Sequence, residues 1–322
     1  MTRLITGGTG YIGAELAHLL VERGDDIVLF DIVINDYRVE DIKKKVKIVR
    51  GDVSNWSEVM NVVKDNKITE IYHLGSMLTY VSELNPWGAF RANVIGTYNV
   101  LEAARIFNVN KIMFTSTIGT YGLLTPGVID DETIQRPTTV YGVGKLYGEG
   151  LGRFYRSKFG VDFRSIRYPG MQGPNVRTPG HWGPPMIEDA LAGRNNTCIY
   201  AIPESKMPVI YLTDAAKAAM DVLDAPKDKI QMVNYGVSGP SESIGAQELE
   251  DALKKRFPGF QVNYAVEPAM AAVMKKSPAI EKLDDKFARK EWGWNPQYTT
   301  IESIIDRFEK DMKDHPKRFG LA

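Results

Sequence analysis

The sequence predicts an α/β fold, a doubly wound parallel sheet joined to a smaller, discontinuous α+β lobe. Short β-branched runs alternate with segments of helical period as far as residue 168, the pattern of βαβ units. A glycine-rich turn links the first run to the first helix, and the alternation breaks at Pro169.

Taken in order, strands are expected at Arg3 to Thr6, Ile27 to Phe30, Val46 to Val49, Glu70 to Leu74, Lys111 to Thr115 and Asp162 to Arg167. Ile12, Leu16, Leu19 and Leu20 recur at helical spacing after the first strand, with Gly24 as the stop. Further helices are expected near Trp56 to Asn66, Ala89 to Phe107 and Gly142 to Phe159, each long enough for a right-handed crossover. Between Pro169 and Pro185, nine of 17 residues are Gly or Pro, which argues against a helix or central strand and for a substrate loop. Beyond it the pattern predicts a helix from Met186 to Ala192, a strand pair around Cys198 and Ile210, and a helix from Asp214 to Leu223 capped by Thr213. A strand near Gln231 to Tyr235 and helices near Gln247 to Arg256, Pro278 to Trp292 and Ile301 to Asp314 complete the chain. Residues 1–168 with about 207–237 are expected to form the dinucleotide domain, and about 169–206 with 238–322 the substrate lobe.

The chain has 40 Lys+Arg against 40 Asp+Glu, a formal net charge of zero. Nucleic-acid binders need a basic excess to displace counterions, and membrane-surface helices need a basic face. Neither appears in bulk, so the expected partner is a small molecule, with no nucleic acid and no membrane. A single cysteine, Cys198, excludes an internal disulfide and a four-Cys metal site, and it suits a reducing compartment. The first strand begins at Arg3 and no run approaches roughly 18 apolar residues, so the chain reads as cytoplasmic. Without a His-Glu-x-x-His pattern or a His-carboxylate cluster, no catalytic metal is expected.

Chemistry concentrates in three places. Gly7-Gly8-Thr9-Gly10-Tyr11-Ile12-Gly13 lies between the first strand and helix, where glycines let backbone approach a pyrophosphate held by the helix N-terminus. Asp31 ends the second strand, 18 residues past Gly13, where a carboxylate accepts ribose hydroxyls and repels a 2′-phosphate. A Rossmann unit binding NAD rather than NADP follows, against the alternative of a tight turn and a turn aspartate. Tyr141 and Lys145 stand four apart on one helical face, so an ammonium beside a phenol would lower the phenol's pKa. In a chain with 15 Tyr that spacing arises by chance, and its weight comes from its place before the sixth strand. Thr115-Ser116-Thr117 ends the fifth strand, where open α/β sheets bind ligands.

These motifs, together with Gly51-Asp52-Val53, His73-Leu74-Gly75, Asn93 to Thr97, Arg167 to Gly170, Tyr211 to Asp214 and Glu291 to Pro296, resemble the extended short-chain dehydrogenases/reductases over nearly the whole chain. The resemblance implies that Gly7, Gly10, Tyr11 and Ile12 cradle the pyrophosphate, that Asp31 holds the adenosine ribose, and that Asp52 and Val53 flank the adenine. It also implies that Leu74, Gly75, Ser76, Asn93, Thr115, Lys145 and Tyr168 contact the rest of the cofactor. Carried over likewise, Tyr141 is the general acid/base, Thr117 its hydroxyl partner and Lys145 its tuner. The family's habit of pairing through two long helices implies a homodimer, here through Ala89 to Phe107 and Gly142 to Phe159 with Leu146, Tyr147, Leu151 and Phe154.

Two branches of the family compete. Sugar-nucleotide epimerases and dehydratases carry an Arg before the strand at Val209 to Leu212, where this chain has Met207-Pro208 with only Lys206 nearby. The L-threonine 3-dehydrogenase branch is resembled by Ser116 to Gly119, Arg136-Pro137-Thr138 and Val161 to Gly170. That branch's small hydroxyl run after Pro169 is replaced here by Gly180-His181-Trp182-Gly183-Pro184, and its serine after the fourth strand by Met77-Leu78-Thr79-Tyr80. Thr79, Thr117, Tyr141, His181 and Trp182 are therefore the expected substrate contacts, with Tyr80 and Trp182 adding aromatic bulk. The expected activity is NAD-dependent oxidation of a secondary alcohol, L-threonine or a related 3-hydroxy compound. Epimerisation or dehydration of a sugar nucleotide on retained NAD is the alternative, and a redox-sensing NAD-binding protein without turnover is a third.

Overall fold

The structure, a computed structural model, describes residues 1–178, 180–268, 271 and 279–320. Seven strands form one parallel sheet: β1 (Thr2–Thr6), β2 (Asp26–Asp31), β3 (Val46–Arg50), β4 (Glu70–His73), β5 (Lys111–Thr117), β7 (Asp162–Tyr168) and β12 (Asn234–Gly236), with β6 (Val128–Ile129), β8 (Gly170–Gln172), β9 (Asn196–Cys198), β10 (Lys206–Met207) and β11 (Val209–Tyr211) lying outside it. Their order is β12-β7-β5-β4-β1-β2-β3. The runs that predicted the central strands are buried on both faces, as β4 and β7 show along their whole length, while the edge strand β3 is only partly covered. The order reverses between β1 and β4, which opens a crevice at the carboxyl ends of those strands.

Helices cover both faces. On one side α1 (Tyr11–Glu22) packs against α8 (Leu212–Asp224), and on the other lie α2 (Trp56–Asp65), α5 (Gly96–Ile106) and α6 (Val140–Phe159). Thr139 caps α6 by accepting from the Gly142 amide at 3.0 Å. Gly152 lets α6 lie flat on β7, since a Cβ there would fall 2.1 Å from the Phe163 ring.

Several expectations differ from the fold. The helix expected over Ala89 to Phe107 is interrupted: α4 (Pro86–Ala89) runs into a π-helical turn (Phe90–Ile95) before α5. A short α3 (Thr79–Leu84) precedes it, which the sequence pattern did not reveal. The Gly/Pro stretch after Pro169 is not all loop. Gly170–Gln172 forms β8, paired in parallel with β11 (Val209–Tyr211), and α7 (Gly183–Leu191) starts inside it. Pro184 and Pro185 occupy the first turn of α7, where a missing N–H costs nothing. Cys198 and Ile210 do not share a ladder, because β9 (Asn196–Cys198) pairs with β14 (Val262–Tyr264). Thr213 is not a cap: Tyr211 precedes α8, and the Thr213 hydroxyl donates to Glu15 at 3.0 Å. Of the helix expected from Pro278, the first residue lies outside the described residues and the helix found runs Lys286–Trp292.

Candidate active site

The crevice between β1 and β4 continues into a cleft of about 490 Å³ that reaches from the glycine loop to the end of β5. Gly7 turns the chain out of β1 at φ +65°, a left-handed conformation that favours glycine. A Cβ there would fall 2.8 Å from the Gly75 amide, and one at Gly13 would fall 2.3 Å from the Gly7 carbonyl. Backbone therefore lies where side chains would otherwise be, and α1 opens directly from the loop at Gly10 without a capping side chain. Asp31 lines the same cleft, one oxygen held by the Thr9 amide at 3.0 Å. Asp52 accepts from the amide and hydroxyl of Ser54, both at 2.8 Å, and Arg91 donates to that hydroxyl at 3.0 Å. A side-chain-free cradle at a helix start, with a carboxylate at the end of β2, fits a dinucleotide lacking a 2′-phosphate.

A buried chain of hydrogen bonds holds the two sides of the crevice together. The Gly75 amide donates to Thr6 Oγ1 at 3.1 Å, and Thr6 Oγ1 meets His73 Nδ1 at 2.7 Å. On the other side of the ring, His73 Nε2 meets Thr97 Oγ1 at 3.1 Å, and Thr97 donates to the Asn93 carbonyl at 2.7 Å. With the Thr97 proton committed to a carbonyl, Nε2 must be the protonated ring nitrogen and Nδ1 the acceptor. Burial and the nearby Lys145 push His73 down to about 3, which keeps the ring neutral as this arrangement requires. Thr6, His73 and Thr97 were not among the sequence-derived contacts.

At the reactive end, Tyr141 and Thr117 both line the cleft and share a side-chain hydrogen bond. Lys145 sits one turn on, 2% exposed, its Nζ donating to the Thr115 carbonyl at 2.7 Å and standing 5.7 Å from the Tyr141 ring centre. The expected lowering of the phenol is not what this arrangement gives. Burial pushes Tyr141 above its ordinary value, Tyr11 adds to the rise, and only the Thr117 hydrogen bond opposes it. Burial also pulls Lys145 down to about 7, which weakens the charge it could lend to the phenol.

Among the other expected contacts, Gly10, Ile12, Val53, Leu74, Ser76, Thr79, Thr115 and Tyr168 also line the cleft. Lys145 and Asn93 lie beneath it. The π-helical turn aims the Asn93 amide at Met77, accepting from its N–H at 2.8 Å and donating to its carbonyl at 3.0 Å. The Asn93 side chain thereby braces the cleft wall at Met77. Trp182 is a correction: it is 4% exposed within the hydrophobic core and is not part of the lining. Tyr80 is 57% exposed outside the cleft, so neither aromatic narrows it. His181 does line it, with a buried Nδ1 that has no protein partner, and burial pulls its pKa down to about 4. Thr178 beside it meets the Tyr11 hydroxyl at 3.1 Å, tying the loop to α1. Lys206 faces Glu248 at 3.7 Å and does not reach the cleft. Sequence reasoning also missed the lining residues Arg91, Met171 and Thr178.

Residues 3–236 match the model of the NAD dependent epimerase/dehydratase family. The mitochondrial L-threonine 3-dehydrogenase of Bos taurus is 31% identical over 308 residues, 94% of this chain and 80% of that protein. A solved GalE-like L-threonine dehydrogenase from Cupriavidus necator, in its holo form, superposes with a TM-score of 0.85 at 30% identity, covering 96% of this chain and 99% of that one. The Thermus thermophilus UDP-glucose 4-epimerase in complex with NAD shares the fold at a TM-score of 0.80 and 24% identity, over 96% and 99% of the two chains. Among the described residues no helix is long and apolar enough to cross a membrane. The chain belongs to the NAD dependent epimerase/dehydratase family, as an NAD-dependent oxidoreductase of the extended short-chain dehydrogenase type.

Proposed function

We propose that this enzyme oxidises the secondary alcohol of a small 3-hydroxy compound, L-threonine being the first to test. The observation that carries the reading is the Thr117–Tyr141 pair, backed by Lys145, opening on the same cleft as the glycine loop. Bound NAD supplies the hydride acceptor and the positive charge of its oxidised ring. Gly7, Gly10, Tyr11 and Ile12 hold the pyrophosphate, Asp31 the adenosine ribose, and Asp52 with Val53 the adenine. Thr117 orients the substrate hydroxyl, and Tyr141 removes its proton at Oη. Because burial raises the phenol, Tyr141 becomes a base only as positive charge gathers beside it, which couples deprotonation to a loaded cleft. Thr79 and His181 meet the rest of the substrate. A neutral His181 offers hydrogen bonding without charge.

Tyr141→Phe tests the assignment. Turnover, followed as NADH absorbance, is expected to fall at least about 100-fold with NAD affinity retained, and more than about a tenth of wild-type turnover would overturn it. Net NADH also separates this reading from sugar-nucleotide epimerisation, for which Lys206, paired with Glu248, offers no phosphate grip.

We also place substrate selection in about 169–206 and 238–322, and NAD binding in 1–168 with about 207–237. Exposed Tyr98 and Ile106 on α5 and Tyr147 and Phe154 on α6 support pairing of two copies through those helices, with Leu146 and Leu151 half-buried beside them. Sedimentation decides it. The lone, buried Cys198 suits the cytoplasm.

A further inference from the structure

The face of α6 that carries Tyr141 and Lys145 carries a third buried group two turns on, Glu149, which is 0% exposed. Its carboxylate is gripped by a fork from Arg167 on β7, with Nε donating to Oε1 at 2.9 Å and Nη2 to Oε2 at 2.8 Å. Ser116 Oγ donates to the same Oε1 at 2.6 Å, and Gln135 Nε2 to Oε2 at 3.3 Å. Arg167 is the register partner of Ser116 across the β5–β7 ladder, so helix, strand end and neighbouring strand meet at one carboxylate. Ser116 lies between Thr115, whose carbonyl takes the Lys145 ammonium, and Thr117, which meets Tyr141. Asp131 and the Tyr121 hydroxyl close the far side of Arg167, at 3.8 Å and 3.3 Å.

We infer that Glu149, held by Arg167, is a positioning residue that fixes the height of α6 against the end of β5 through the Ser116 hydroxyl. Tyr141 and Lys145 are bound to that height by one rigid helix, and Thr115 and Thr117 by one rigid strand. The Glu149–Ser116 bond is a buried side-chain tie between the two elements that carry the reacting pair, made on the edge of the cleft that Ser116 helps to line. A sub-ångström slip at this tie moves phenol and hydroxyl apart at the site itself, and catalytic rates fall steeply with such misplacement. The inference rests on the proposed role of Tyr141.

Ser116→Ala removes the tie without burying a bare charge, because the Arg167–Glu149 fork remains. Expected are a kcat with L-threonine lowered about 10- to 100-fold, a loss well beyond any change in NAD affinity, and a melting temperature lowered by a few degrees for the lost buried hydrogen bond. The acid limb of the kcat pH profile should move to higher pH, since the slip draws Tyr141 away from the Thr117 hydroxyl that opposes the phenol's rise. Glu149→Gln keeps an acceptor for Ser116 and should retain more turnover than Ser116→Ala while melting lower. Amide exchange, which needs no substrate, should quicken in 115–120 and 140–148 for Ser116→Ala. Wild-type kcat and pH profile, or unchanged exchange in those segments, would overturn the inference. Turnover surviving in Tyr141→Phe would instead overturn the role of Tyr141, leaving exchange to judge the tie alone.

Discussion

The two ends of the cleft are built from different material. At the glycine loop the wall is main chain: Gly7 at φ +65°, the Gly75 amide close behind it, and the bare start of α1. At the other end the wall is side chains from four separate stretches, with Thr79, Thr117, Tyr141 and His181 meeting across α3, β5, α6 and the segment before α7. A wall of main chain tolerates no added atoms and reads one feature shared by every pyrophosphate. A wall of side chains can be re-cut one residue at a time, which lets selectivity change while the cofactor stays the same.

Gly13→Ala should break the first end most severely. Its methyl would fall 2.3 Å from the Gly7 carbonyl, so the loop must shift off the helix start. Overpacking of this kind costs about 1–3 kcal/mol, a loss of about 10- to 100-fold in NAD affinity by titration calorimetry. An affinity within twofold of wild type would mean that the loop does not hold the cofactor. Asp31→Asn acts at the same end more gently. Losing a charged acceptor should weaken NAD about 10-fold while narrowing the preference over NADP, which competition between the two reports.

The same contrast explains what was legible in the sequence. Strands β1 to β5, the glycine loop and Asp31 are specified by short-range needs, β-branched runs and turns that only certain residues can make, so their residues announce them. The Thr6–His73–Thr97 chain joins residues 67 and 24 apart with no periodicity to betray it. Asn93 and Lys145 were recognised through the family motifs, yet their side chains turn beneath the cleft to Met77 and Thr115, a detail fixed by the π-helical turn and by the depth of α6. Trp182 failed as a substrate contact for a physical reason: the Gly/Pro run placed it in a substrate loop, but α7 begins one residue later and carries the indole into the core.

His181→Phe sharpens the second end. A neutral ring nitrogen without a protein partner, replaced by a ring of similar size, should raise KM for the substrate about 3- to 10-fold and leave NAD affinity unchanged. If NAD affinity moved instead, His181 would belong to the cofactor's end.

The smallest expected effect lies beneath the side-chain wall, in a titration that the main-chain wall has no means to show. Burial pushes Asp131 up to about 7, and only the Gly236 amide, at 2.5 Å on Oδ1, and Arg167 oppose it. An unfolded aspartate ionises near about 4. Between those values the folded protein keeps a proton that the unfolded chain has lost, so this group's contribution to stability falls as pH rises from about 4 to about 7. Asp131→Asn keeps an oxygen for the Gly236 amide but does not titrate. The melting temperature of the variant minus that of the wild type should therefore climb through this window and level off above it. Groups such as Lys145 titrate in both proteins and cancel in the difference. A change of about 2–4 °C per kcal/mol makes the climb measurable by calorimetry. A flat difference would mean that Arg167 holds Asp131 ionised throughout, and that the support under the reactive end is as indifferent to pH as the glycine loop.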